Sequence, residues 1–308
     1  MAQITAALVK ELRTKTGAGM MDCKKALTQT EGDMDNAVDW LRKQGMSDAA
    51  KKLGRIAAEG LIGTIVDGAA GALIEVNAET DFVARNDAFQ DFVRDVAKVV
   101  LSAGGDFDAL GAARYPGKDL TVADELTNLI ATIGENMALR RCESLRVDQG
   151  AVVSYVHNAL AEGLGKIGVI VALDSEGDEA ALRNLGKQLA MHIAAAQPEC
   201  VTIADIDPAN LARERKFLIE QARTSGRPEN IIEKMVEGRL RKYYESVALL
   251  EQVFVVDNET KVSDVVEYAA KDVGAPVRVQ AFVRYVLGEG IEKKQENLAD
   301  EVAATLAG

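Results

Sequence analysis

Hydrophobic residues recur at helical spacing through the first fifty residues of the chain. Apolar side chains fall three and four positions apart in three short segments, two of which begin directly behind the capping residues Thr5 and Asp33. Breaks that contain glycine separate the segments. The pattern predicts a compact three-helix module over residues 1–55, whose last part, residues 45–55, is expected to be a partly helical linker.

The hydrophobic period changes to that of β-strands in the next segment. Residues 60–78 hold two β-rich runs around a turn of small residues, which predicts a hairpin. Amphipathic helices are predicted from Asp87 onward and over residues 121–137, and a strand is predicted over residues 139–147. Together these elements predict a small antiparallel sheet covered by helices, over residues 56–150.

The same order of elements returns later in the chain. Residues 163–196 repeat the sequence of glycine turn, apolar strand, polar loop and amphipathic helix. Two further apolar runs, residues 247–256 and 276–287, are predicted as strands, with a helix over residues 262–273 between them. We interpret the repeat as an internal duplication that builds a second sheet over residues 151–286.

A strongly charged segment interrupts the second sheet. Residues 207–245 repeat apolar positions about every 3.5 residues on two helices, which predicts an antiparallel hairpin of the coiled-coil type. Residues 291–308 are predicted to form a last amphipathic helix, within a C-terminal module of residues 287–308. The predicted fold class is therefore α+β: a three-helix module, a duplicated core of small antiparallel sheet plus helix, a helical hairpin insertion and a C-terminal helix.

Charge and composition narrow the class of partner. The 308 residues hold 36 Lys and Arg against 48 Asp and Glu, a net charge of −12, which disfavours direct binding to nucleic acid. No apolar run approaches the length of a membrane span, and since Lys10 and Glu11 interrupt the first apolar run, we expect no signal peptide. Three widely spaced cysteines suit a reducing compartment. We therefore expect a cytoplasmic protein without membrane contact.

The residues suited to acid, base or nucleophilic chemistry are few. Of the two histidines, His192 lies on the apolar stripe of its helix and is interpreted as a core residue, whereas His157 falls in a predicted loop where a contact role is open. Cys23 lies on a helical stripe and is interpreted as a buried, inert thiol. No pair of carboxylates has the apolar setting that acid and base chemistry requires.

One glycine motif resembles a phosphate-binding sequence only formally. Gly163, Gly165 and Gly168 match the spacing Gly-x-Gly-x-x-Gly, but the predicted strand follows the glycines instead of preceding them. The motif therefore predicts no nucleotide site. The sequence predicts no cofactor and no metal ion.

Two short apolar groups are harder to assign to a core. Phe82 and Val83 stand among charged residues just beyond a predicted strand end, where a merely connecting loop would be polar. Met20 and Met21 begin the second helix, and since neighbours on a helix point about 100° apart, both core packing and partner docking stay open for this pair. Both groups are candidates for protein contacts.

Two long segments carry a family resemblance. Residues 13–27 read RTKTGAGMMDCKKAL and residues 75–87 read EVNAETDFVARND. Both segments resemble translation elongation factor Ts, the family of guanine-nucleotide exchange factors for elongation factor Tu. The likeness continues in KMVEGRLRKYYE at residues 234–245 and VRYVLGEGIEK at residues 283–293, so that it spans essentially the whole chain.

The resemblance implies a domain layout. Residues 1–55 correspond to a ubiquitin-associated-like N-terminal domain with its linker, residues 56–150 to core subdomain N, and residues 151–286 to core subdomain C. The helical hairpin corresponds to a coiled-coil protrusion, and residues 287–308 to a C-terminal helical module.

The resemblance also implies a function without bond chemistry. In such a factor the loop around Phe82 reaches elongation factor Tu, disturbs its magnesium and phosphate site, and promotes GDP release. The partner is bound both with GDP and free of nucleotide, and a homodimer within a complex of two factors and two partners is compatible with the family. The residues implied at the contact are Leu12, Met20, Met21, Thr80, Asp81, Phe82, Val83 and His157.

The sequence departs from the family pattern at three places, and two other classes of protein, an enzyme and an adaptor, are alternatives. Extra residues follow His157, Lys166 stands where the family often has an arginine, and Arg85 stands where lysine is common. An enzyme would need His157, His192 and Cys200 to converge on one cleft. An adaptor would use the three-helix module for another ligand and the rest of the chain as a scaffold.

Overall fold

Helices and strands alternate along the part of the chain that the computed structural model describes, residues 4–224 and 227–292. The helices are α1 (Ala6–Thr16), α2 (Met20–Gln29), α3 (Met34–Lys52), α4 (Asp87–Ala103), α5 (Phe107–Leu110), α6 (Val122–Ile133), α7 (Glu179–Ala196), α8 (Pro208–Arg223), α9 (Glu229–Val247) and α10 (Val262–Val273). The strands are β1 (Glu59–Asp67), β2 (Ala70–Ala78), β3 (Met137–Arg146), β4 (Gly150–His157), β5 (Leu164–Gly165), β6 (Ile167–Asp174) and β7 (Arg278–Val286).

The strands form two small antiparallel sheets, in the orders β3-β2-β1-β5 and β4-β6-β7. In each sheet two antiparallel strands are followed by a long helix, α4 or α7. A later helix, α6 or α10, then leads into the strand that pairs with the second of the two. The predicted combination of helices with two small antiparallel sheets is confirmed, and the same order of elements recurs in both halves.

The two sheets stack face to face, and the long helices cover their outer faces. Side chains alternate along each strand, so Ile74 and Val76 pack with Phe92 of α4 while Leu73 packs with Ile170 of β6. All nine residues of β2 are consequently buried. This arrangement of helix, sheet, sheet and helix holds the core and fixes the ends of its central strands.

The first three helices have their own small core and also rest on α6. Gly45 lies so close to this helix that a Cβ atom at residue 45 would stand 2.8 Å from the Cβ of Ala131. The Lys52 ammonium donates to the Ile130 carbonyl at 3.3 Å. The segment predicted as a partly helical linker is therefore a continuous part of α3 as far as Lys52, because α6 supports it.

The predicted strand over residues 247–256 is wrong. This segment holds the end of α9, a 3₁₀ turn at Leu249–Glu251 and single bridge residues. Leu249 and Phe254 fill the core beneath the second sheet one at a time, and Gln252 turns inward to a buried histidine. An apolar run without period 2 is ambiguous between these conformations.

The helix predicted over residues 121–137 is too long at its end. Gly134 adopts a left-handed conformation with φ of 91° and caps the helix after Ile133. Met137 already begins β3. The three residues between them, 134–136, form a short polar connection.

Helices α8 and α9 form the predicted antiparallel hairpin. Four buried residues make its seam: Leu218, Ala222, Ile232 and Val236. The final predicted helix lies almost entirely outside the described residues, since residues 293–308 are not among them. That helix therefore stays a prediction.

Candidate partner-binding site

The loop between β2 and α4 presents an aromatic side chain to solvent. Phe82 is 77% exposed, more than any other large hydrophobic side chain among the described residues. The next two residues, Val83 and Ala84, are buried and form a 3₁₀ turn that packs on the first core. The buried pair turns the chain so that Phe82 faces outward.

The connection before β3 anchors the start of this loop. Glu135 accepts the backbone N–H of Thr80 at 2.9 Å and its hydroxyl at 2.6 Å. The backbone N–H of Asn136 donates to Glu79 at 2.5 Å, and Arg55 pairs with the same carboxylate at 3.5 Å. These bonds fix the loop against both β3 and the segment that follows α3.

The start of α4 anchors the other end of the loop. Asn86 caps the helix by accepting the backbone N–H groups of Ala88 and Phe89. Gln90 donates to the Ala84 carbonyl at 2.9 Å. Between the two anchors, the exposed Asp81 forms no hydrogen bond or ion pair with the described part of the chain. The site is an aromatic side chain beside a free carboxylate, on a loop held at both ends.

The N-terminal candidates divide between surface and core. Met20 and Met21 are 54% and 75% exposed, so core packing of this pair is wrong and docking remains. Leu12 is fully buried in the three-helix core beside Leu27. A direct contact through Leu12 is therefore corrected: its side chain has no surface, and it supports the module from within.

His157 lies at the end of a strand and not in a loop. It is the last residue of β4, paired with Ile167 of β6, and β4 is a strand that the sequence pattern did not predict. Its side chain is exposed, with Nδ1 at 3.0 Å from the Tyr155 hydroxyl. Its predicted role at the contact stays a prediction.

His192 is the predicted core residue. It is fully buried, its Nδ1 accepts the backbone N–H of Val255 at 3.2 Å, and its Nε2 lies 2.9 Å from Gln252 Oε1. Because a backbone N–H can only donate, we assign the proton to Nε2. Burial lowers the pKa of His192 more than the bond to Gln252 raises it.

The three groups that an enzyme would need have separate surroundings. Cys200 contacts the carbonyl oxygens of Thr202 and Val247, and burial raises the pKa of its thiol. No hydrogen bond among the described residues joins Cys200, His157 and His192 to one another. The structure therefore gives the enzyme alternative no support.

Sequence reasoning missed the residues that hold the loop. Glu79, Glu135 and Asn136 were not singled out, although a glutamate and an asparagine in a three-residue connection between helix and strand are a usable signal. A buried glutamate in the middle of β2, Glu75, was also missed. The signal there was a carboxylate within an otherwise apolar strand.

The described ranges hold neither a cluster of metal-ligating side chains nor a membrane-spanning helix. Across residues 4–224 and 227–292, no three His, Cys, Asp or Glu side chains lie together as a metal site would require. Within those same ranges, no helix combines the length and the apolar character that crossing a membrane takes.

The candidate site is an exposed aromatic on a loop bonded at both ends and supported by a scaffold of two sheets. Comparison with known proteins gives the family. The family model described as Elongation factor TS matches residues 79–289, from the start of the Phe82 loop to the end of the described core. The chain belongs to the elongation factor Ts family.

Curated relatives match over the whole length of the chain. The chain is 63% identical to elongation factor Ts of Rhodospirillum centenum over 304 residues, 99% of each chain. It is 61% identical to elongation factor Ts of Rhodospirillum rubrum over 307 residues, again 99% of each. The factor of Parvibaculum lavamentivorans is 56% identical over 308 residues, 100% of both chains.

Proposed function

We propose that this protein is a guanine-nucleotide exchange factor that binds elongation factor Tu and accelerates GDP release through the Asp81–Phe82 loop. The observation that carries the proposal is the exposure of Phe82 on a loop anchored by Glu135 and Asn86. A loop that is already ordered loses little conformational entropy on binding. Its contact energy is therefore available to deform the partner.

Phe82 acts as a wedge in this proposal. It enters between helices of the partner near the nucleotide, and the groups that hold magnesium and phosphate move away. A packed protein interior responds to an inserted ring by a discrete rearrangement, since it has few voids and deforms little. Asp81 stands beside the wedge and adds a negative charge where the magnesium site must open.

The exchange step needs no bond-making chemistry by this chain. The factor binds the nucleotide-free partner more tightly than the GDP-bound partner. By linkage, nucleotide weakens the binding of the factor by the same ratio. Release is therefore reversible, and fresh nucleotide displaces the factor.

The first three helices supply a second contact in the proposal. Met20 and Met21 form an exposed, adaptable thioether pair of the kind that suits a protein interface. We assign residues 1–55 to a ubiquitin-associated-like domain that docks on elongation factor Tu through this pair. We place the protein in the cytoplasm.

The remaining residues are assigned by the same resemblance. Residues 56–150 and 151–286 are the two core subdomains, the α8–α9 hairpin is a coiled-coil protrusion, and residues 287–308 are a C-terminal module. The proposed complex holds two factors and two partners. Analytical ultracentrifugation of the purified complex measures this stoichiometry directly.

Stopped-flow release of fluorescent GDP from elongation factor Tu tests the function. The native protein at saturating concentration is expected to accelerate release, and Phe82→Ala to lose most of the acceleration. Phe217→Ala is the matched control, since Phe217 is also exposed but lies on α8. Acceleration that survives Phe82→Ala would move the mechanism away from the loop, and no acceleration by the native protein would refute the function.

A further inference from the structure

Glu75 is a fully buried carboxylate in the middle of β2. Arg140 Nη1 donates to it at 2.8 Å, Arg141 Nε at 2.6 Å and Asn77 Nδ2 at 3.1 Å. The backbone N–H of Gly288 donates a fourth bond at 2.8 Å. Burial alone raises the pKa of Glu75, but these donors outweigh it and hold the pKa below its ordinary value.

A β-bulge lets two consecutive arginines reach one carboxylate. Successive side chains of a regular strand point to opposite faces of the sheet. Here the register between β2 and β3 shifts after the pair Glu75↔Arg141, since Val76 already pairs with Leu139, which leaves Arg140 as the additional residue. Both guanidinium groups consequently lie on the side of Glu75.

The same cluster holds the end of the second sheet. Arg141 stacks on the Tyr285 ring at 4.2 Å and donates to the Val286 carbonyl at 2.9 Å, and Arg140 donates to the Glu289 carbonyl. Gly288 has φ of 70°, and a Cβ atom there would collide with the carbonyl oxygen of Ala58.

Three segments of the chain therefore meet at the Glu75 carboxylate. They are β2, which leads into the Phe82 loop, β3, which carries the two arginines, and the turn after β7.

A cluster of this kind does not act mainly through stability. Buried ion pairs commonly stabilise a protein no more than apolar residues of the same shape, because desolvation offsets their attraction. Their best-attested role is to select one arrangement of packed elements over its alternatives. The arrangement selected here is that of β2 and β3 against the end of β7.

We propose that Glu75 is a positioning residue for nucleotide exchange, which fixes the direction of the Phe82 loop relative to the second sheet. This inference rests on the proposed exchange function. Hydrogen bonds fix strand β2 and its continuation at two places. One is Glu75, which the two arginines hold, and the other is Glu79 and Thr80, which bond to the connection before β3. Without the bonds at Glu75, the bulge no longer has a fixed register. The Phe82 loop then contacts the partner at a variable angle.

A double-mutant cycle in the full-length chain tests the inference. We measure the maximal rate of GDP release and the concentration of factor at half-maximal rate for Glu75→Gln, Phe82→Ala and the double variant. Glu75→Gln is expected to lower the maximal acceleration by about 10- to 100-fold, since a misplacement of about 1 Å in a reacting group can cost about 100-fold. The half-maximal concentration changes less, and in the Phe82→Ala background Glu75→Gln has little further effect.

Two controls separate positioning from general loss of structure. Glu143→Gln removes an exposed carboxylate from the neighbouring strand and is expected to leave exchange unchanged. Glu75→Gln combined with Met21→Ala is expected to show independent, multiplicative effects. Hydrogen exchange is expected to rise at residues 79–86 and 286–290 of Glu75→Gln and to stay unchanged in α7.

The outcomes decide between the explanations. Equal effects of Glu75→Gln with and without Phe82 would overturn the positioning role, as would full exchange activity in Glu75→Gln. If Glu75→Gln does not fold, Arg140→Gln carries the same cycle, because Arg140 is partly exposed and Arg141 stays in place. Failure of the native protein to accelerate release refutes the exchange function itself, and the positioning role with it.

Discussion

Glu135 holds Thr80 by two hydrogen bonds, one to the backbone N–H at 2.9 Å and one to the hydroxyl at 2.6 Å. Thr80 stands two residues before Phe82, and Glu135 stands two residues before β3. The pair therefore ties the exposed aromatic to the edge strand of the first sheet. It converts a surface loop, which is ordinarily mobile, into a fixed part of the scaffold.

Substitution of Glu135 by alanine is expected to free the loop. The variant loses two charge-assisted hydrogen bonds, which costs about 1–3 kcal/mol of unfolding free energy. Acceleration of GDP release is expected to fall about 10-fold, because Phe82 no longer reaches the partner in one orientation. Stopped-flow exchange and chemical denaturation measure the two effects.

Glu162→Ala is the control for this variant. Glu162 is an exposed glutamate in the connection between β4 and β5, away from the loop. Its loss is expected to change neither exchange nor stability. Normal exchange in Glu135→Ala would show that the loop keeps its orientation without this anchor.

Substitutions of Leu12 and Met21 are expected to have different effects: the first lowers the unfolding free energy, and the second weakens binding to elongation factor Tu. Leu12→Ala removes a fully buried side chain and is expected to cost about 2–5 kcal/mol of unfolding free energy. Met21→Asp changes an exposed side chain and is expected to weaken binding to elongation factor Tu about 10-fold without loss of stability. Thermal unfolding and isothermal titration calorimetry test the pair, and a Met21→Asp variant with native affinity would place the contact elsewhere.

The exposed loop was predictable from sequence because its signal is local. An aromatic residue among charges just past a strand end indicates an exposed site, and Phe82 is exposed while its neighbour Val83 is buried in the first core. The conformation of residues 247–256 was not predictable, since Leu249 and Phe254 enter the core one at a time while Val253 and Val256 are exposed. Only the tertiary position of α10 and α7 decides that conformation.

The Glu75 cluster lay beyond sequence reasoning for a different reason. Its partners come from β3 and from the turn after β7, as much as 213 positions away in the chain. The bulge that brings both arginines to one side depends on the pairing register, which no pattern within β3 specifies. The contact at Leu12 was implied by the family resemblance, which does not show that its side chain is buried here.

His192 is expected to make stability depend on pH between about 7.5 and 5.5. Burial lowers its pKa in the folded protein below the ordinary value of 6.5. The unfolded chain therefore binds more protons than the folded chain as pH falls through about 6.5, and the free energy of unfolding falls with it. Above that range both states are neutral, and this contribution to the pH dependence vanishes.

Variants of the two histidines check this assignment by thermal unfolding across the pH range. His192→Gln is expected to flatten the decline between pH 7.5 and 5.5, because the titrating group is gone. His157→Gln is the matched control: its side chain is exposed, and the decline is expected to persist. A decline that persists in His192→Gln and is lost in His157→Gln would reverse the assignment.

Two mid-helix glycines are expected to respond oppositely to the same substitution. Alanine in place of a helical glycine gains about 0.5–1 kcal/mol through lower entropy of the unfolded chain. At Gly238 of α9 no other atom lies within 4 Å of the new Cβ, so Gly238→Ala is expected to stabilise the protein by about that amount.

At Gly45 the gain is outweighed by collision. The new Cβ would lie 2.8 Å from the Cβ of Ala131, and both atoms are attached to helix backbones that must move apart. Overpacking of this kind costs about 1–3 kcal/mol, so Gly45→Ala is expected to be net destabilising. The displacement also shifts Met20 and Met21 relative to Phe82, so binding to elongation factor Tu is expected to weaken in Gly45→Ala and not in Gly238→Ala. Equal stabilisation of both variants in chemical denaturation would mean that α3 is free to move on α6. The three-helix module would then not be held at a fixed distance from the Phe82 loop.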